Sequence, residues 1–75
     1  MNYATAKAIA AEHAPNLIID DEIEGQLHVC VRKHEKGPPF SITLPVSTEA
    51  MPMQPEEEAT AFKGALDAAV RYLGA

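Results

Sequence analysis

The chain contains no tryptophan, and its only aromatic residues are Tyr3, Phe40, Phe62 and Tyr72. A core must therefore be assembled from Ile, Leu, Val and Ala, and it will be thin. There is one cysteine, Cys30, which excludes an internal disulfide. No apolar run approaches the roughly twenty residues needed to span a bilayer. The opening MNYATAKAIA lacks the basic start and long apolar run of a secretory signal, so a cytoplasmic location is expected. Positive charge is also scarce. Six Lys and Arg stand against eleven Asp and Glu, a formal net charge of −5. That balance argues against direct binding of nucleic acid or an anionic membrane and favours a basic protein surface as partner. Internal repeats and low-complexity segments are absent as well.

The most complete set of helix signals lies in the last third of the chain, Pro55 to Leu73. Ala59, Phe62, Leu66, Ala69, Val70 and Leu73 recur at spacings of three and four and form one apolar stripe. Pro55 suits the first helical position, and Glu56, Glu57 and Glu58 place negative charge on the positive end of the helix dipole. At the other end, Arg71 occupies the last turn, with Asp67 as its expected i,i+4 partner, and Gly74 supplies a left-handed cap. A shorter helix is expected from Tyr3 to His13. Asn2 caps it, alanines supply its propensity, and Pro15 ends it.

Between the helices, Leu17 to Arg32 reads as a hairpin turning at Glu24, Gly25 and Gln26. Setting Ile23 opposite Leu27 collects Leu17, Ile19, Ile23, Leu27, Val29 and Val31 on one face, with Asp21 as a misfit. The same register sets Glu22 opposite His28 and Asp20 opposite Cys30 on the wetter face. Glu35 to Pro39 reads as a loop. Phe40, Ile42, Leu44 and Val46 then alternate with polar residues as an edge strand limited by Pro45. Ser47 to Gln54 is a connector whose Met51 and Met53 either lid the core, the preferred reading, or offer an adaptable contact surface. The fold expected is α+β: helix, three-stranded antiparallel β-meander, helix, as one domain over 1–75 with both helices on one face of the sheet. At this size a second copy or a partner would add stability.

Three groups of residues are candidates for function. His28, Cys30 and His34, with Asp20 and Glu22 across the hairpin, are of zinc-ligand type, but their spacing fits no finger and Arg32 interrupts them. An exposed polar face with His28 paired to Glu22 is the simpler account, and no catalytic, cofactor or metal residue is assigned. The second group is acidic. Asp20, Asp21, Glu22 and Glu24 cluster at the hairpin and Glu56, Glu57 and Glu58 at the last helix; such runs are either simply solvated faces or, taken together, the expected partner-binding surface. The third is the small-residue side of the last helix, where Gly64 costs roughly 1 kcal/mol relative to Ala. Gly64 serves there either to clear the sheet or to admit another backbone.

The order helix, three strands, helix resembles the double-stranded-RNA-binding domain, as does the Ala-rich run of Ala65, Leu66, Asp67, Ala68 and Ala69. That family grips phosphates with lysines at the start of its final helix. Here Glu56, Glu57 and Glu58 stand there, so RNA binding is not expected. In size, acidity and lack of cofactor or catalytic motifs the chain is also similar to small type I anti-CRISPR proteins of phages and mobile elements. That resemblance implies a non-enzymatic inhibitor, a nucleic-acid mimic that occupies a basic, nucleic-acid-binding surface of a partner such as a CRISPR effector complex. The alternative is a homodimeric structural domain joined through the last helix or a sheet edge.

Overall fold

A computed structural model describes residues 1–75, and in it both helices begin and end where their terminal residues direct. Helix α1 spans Tyr3–His13, and the Asn2 side chain accepts a hydrogen bond from the Thr5 amide at 2.9 Å, satisfying a backbone donor that the helix leaves free. Helix α2 spans Pro55–Leu73, with Pro55 at its start and Gly74 left-handed (φ 72°) at its end. Glu57 accepts the Gln54 amide at 3.2 Å, the backward half of a capping box.

Three short strands separate the helices: β1 (Ile18–Ile19), β2 (His28–Arg32) and β3 (Phe40–Thr43), paired antiparallel in sequence order. The architecture is the α+β meander with both helices on one face. Alternation along the strands buries Val29, Val31 and Ile42 against the helices and turns His28, Cys30, Ser41 and Thr43 outward. Phe62, Leu66 and Ala69 of α2, Ala6 and Ala10 of α1, Ala14 just after it and Leu44 just beyond β3 complete the buried core. Burying an aliphatic or aromatic side chain such as Phe62, Leu66 or Val31 contributes about 1.5–3 kcal/mol. The alanines of α1 add little area but allow close approach to α2.

Ile19 pairs with Val31, the register implied by setting Ile23 opposite Leu27. Gly25 takes φ +84° in the turn, where the Gln26 amide donates to the Ile23 carbonyl at 3.1 Å. The expected long ladder nevertheless fails. Strand β1 is only two residues long, and Ile23 and Leu27 are 61% and 64% exposed instead of buried. Asp21 interrupts the apolar face, and the burial that would hold a longer strand in place does not reach that end of the sheet. Val46 likewise lies beyond the end of β3 and is exposed.

The methionine lid is also corrected. Met51 is 70% exposed, and Met53 does not pack against the core; Met1 does. The connector is held instead by polar bonds. The Ser47 hydroxyl accepts the Met53 amide and the Thr48 hydroxyl accepts the Met51 amide, each at 3.0 Å. Gly64 does not clear the sheet: it is exposed, and an added Cβ would meet nothing within 4 Å.

Candidate functional site

The path of the chain decides how charge is distributed. Strand β2 begins beside the hairpin turn, and β3 returns to that same end, where the Leu44 amide donates to the Leu27 carbonyl at 2.7 Å. Helix α2 starts there too. Glu58 in its first turn accepts the Ser47 amide at 3.2 Å and the Met1 ammonium at 3.0 Å, and that ammonium also donates to the Pro45 carbonyl at 3.1 Å. Helix α2 then runs back along β3 to the opposite end of the sheet. There the Tyr72 ring packs at a tilt against Phe40, centroids 5.5 Å apart, and Leu73 borders a groove with Lys33 and His34.

The two acidic groups, far apart in sequence, thus lie toward the same end of the sheet. Asp21, Glu22 and Glu24 at the hairpin and Glu56 and Glu57 on α2 are exposed there. Lys33, Lys36 and Arg71 lie toward the other end. Along α2 the separation of Glu56 from Arg71 is roughly 22 Å by helical rise, well beyond the ~10 Å Debye length of 0.1 M salt, so each end acts as a separate surface.

Two of the seven acidic candidates are committed within the fold. Asp20 is gripped by Arg32, whose Nε and Nη2 each lie 3.0 Å from a carboxylate oxygen, while Nη1 donates to the Gly37 carbonyl at 2.7 Å. The Arg32 pKa is raised, first by hydrogen bonding to Asp20. This pair ties β1 to β2 and to the following loop. Glu58, with its side chain only 13% exposed, joins the chain start, the connector and α2. Glu57 combines exposure with its capping bond.

The expected pairing of His28 with Glu22 is not formed, and Asp67 is paired with His13 at 2.8 Å, not with Arg71. His13 approaches from α1, so this bond ties the two helices together. Tyr3 is a further tie that the sequence did not announce: its hydroxyl donates to the Asp20 carbonyl at 2.9 Å. The Asp20–Arg32 pair had a signal, because the register places them diagonally across β1 and β2. The Met1–Glu58 and Tyr3 contacts had none, since they depend on how α1 is docked.

His28 and Cys30 share the outer face of β2, and His34 lies in the turn beyond it; no three His, Cys, Asp or Glu side chains converge as metal ligands. The most enclosed cavity, of about 50 Å³, lies under the hairpin and is bordered by Tyr3, Ile23, Val29 and Leu44. It has room for a few water molecules, against the roughly 300–1,000 Å³ of a typical small-molecule site. The most distinctive chemical feature of the surface is therefore its acidic end; toward the other end Lys33, Lys36 and Arg71 are interleaved with exposed Glu35 and Asp67. Comparison with family models, curated proteins and solved structures returns no match.

Proposed function

We propose that the protein is a non-enzymatic inhibitor whose acidic end docks on a basic, nucleic-acid-binding surface of a partner complex, in the manner of an anti-CRISPR nucleic-acid mimic. The observation that carries this reading is the gathering of Asp21, Glu22, Glu24, Glu56 and Glu57 at one end, away from Lys33, Lys36 and Arg71. Such a surface accelerates encounter with a basic patch and orients the protein on arrival. Asp20 and Glu58 support the surface as internal ties, so they are unsuitable test positions. The test is competition against fluorescent target DNA for a purified type I CRISPR effector complex, in low and high salt. The parent should displace DNA in low salt only. A variant with Asp21→Asn, Glu22→Gln, Glu24→Gln, Glu56→Gln and Glu57→Gln should not, and the glutamine that replaces Glu57 can still cap α2. Displacement unaffected by salt or by the variant refutes the acidic surface; no displacement refutes this partner class.

A second reading, a homodimer through α2, is favoured by one observation. Gly64 weakens the helix interior without an intramolecular reason, beside the exposed Thr60 and Ala61. It predicts that a bulky residue at Gly64 breaks the oligomer.

A further inference from the structure

The inner face of the sheet outruns its helical cover at the acidic end. Leu27 continues the series of Val29 and Val31 on β2, and its carbonyl still holds the Leu44 amide. Ile23 reaches the same face from the other side of the turn and borders the small cavity with Val29 and Leu44. Both are well exposed, although residues on this face farther along the sheet are buried. The overhang is thus an extension of the core face, with Asp21 and Glu22 on the same cavity as Ile23 and the exposed Glu24 next to it in the turn.

We infer that Ile23 and Leu27 are apolar anchors for a basic amphipathic segment of the partner, one that presents aliphatic side chains flanked by lysine or arginine. This rests on the acidic docking reading and specifies the partner's chemistry. An apolar centre inside a polar rim is the usual anatomy of a protein interface. The carboxylates of this turn, Asp21, Glu22 and Glu24, stand beside Gln26 and His28 with no lysine or arginine among them, so a complementary occupant is basic. A second copy of this chain would bring two acidic rims together, and like charges at close range oppose that pairing. Bare phosphate mimicry needs no aliphatic anchors, so Ile23 and Leu27 distinguish a protein-segment dock from a purely ionic one.

The test titrates the ¹⁵N-labelled protein with two synthetic peptides carrying equal numbers of lysines. One is an amphipathic leucine–lysine helix, and the other replaces its leucines with serine. The leucine peptide should bind about tenfold or more tightly, the affinity equivalent of burying an aliphatic side chain. Amide shifts should centre on Ile23 and Leu27, and the advantage should vanish in Ile23→Ser and Leu27→Ser. Both positions are exposed, so the variants should fold, as the unliganded spectrum will report. Equal binding of the two peptides overturns the anchors and leaves the acidic dock standing. Binding of neither overturns both. Shifts at Ile23 and Leu27 that grow with protein concentration alone identify a second copy as the occupant and overturn the basic segment.

Discussion

Replacing Gly64 with alanine separates the two readings of α2. The residue lies in the interior of a 19-residue helix, is exposed, and has open space where a Cβ would project. The substitution therefore adds no clash and little packing, and its effect is helix propensity alone, a gain of about 0.8–1.0 kcal/mol. With a urea slope of about 1 kcal/mol/M for a small domain, the midpoint should rise by about 0.8–1 M. The melting temperature should rise by roughly 4–8 °C. Urea unfolding followed by far-ultraviolet circular dichroism, at two protein concentrations a hundredfold apart, is the assay. For a monomer the gain should be the same at both concentrations, and Gly64→Leu should behave similarly because leucine is also a strong helix former. A protein whose parent midpoint rises with concentration and falls in Gly64→Leu is held together through this face. Destabilisation of a monomer by Gly64→Ala would refute the open-space argument outright.

Glu58→Gln on the untagged chain should destabilise the fold by about 1–3 kcal/mol, because it breaks a charge-assisted bond to the Met1 ammonium in a largely enclosed position. Glu56→Gln should change stability by less than about 0.5 kcal/mol. Equal urea midpoints for the two variants would contradict the internal role assigned to Glu58. Asp20→Asn should loosen the Arg32 guanidinium and the Gly37 loop. Proton NMR should then show faster exchange of the Arg32 Nε–H, and unchanged exchange would mean that Asp20 is not what holds it.

The contributions of sequence and tertiary structure divide by the range over which each interaction acts. Helix ends are local: Asn2, Pro55 and Gly74 act on backbone groups within a few residues, so both helical spans follow from the sequence. The stripe of Phe62, Leu66 and Ala69 follows from helical period, and the pairing of Ile19 with Val31 from the two-residue alternation of a strand. Composition likewise determined the sign of the surface charge. The length of β1 was not local, because a strand persists only where another layer buries it, and the helices leave Ile23 and Leu27 uncovered. Which carboxylates remain free for a partner was also decided in three dimensions. Glu58 meets an ammonium 57 positions away and Asp67 meets a histidine 54 positions away, and Asp20 meets Arg32 across the sheet. Only the docking of α1 and the return path of α2 joined two distant acidic runs into one end of the molecule, because that path is set by burial of the shared apolar face.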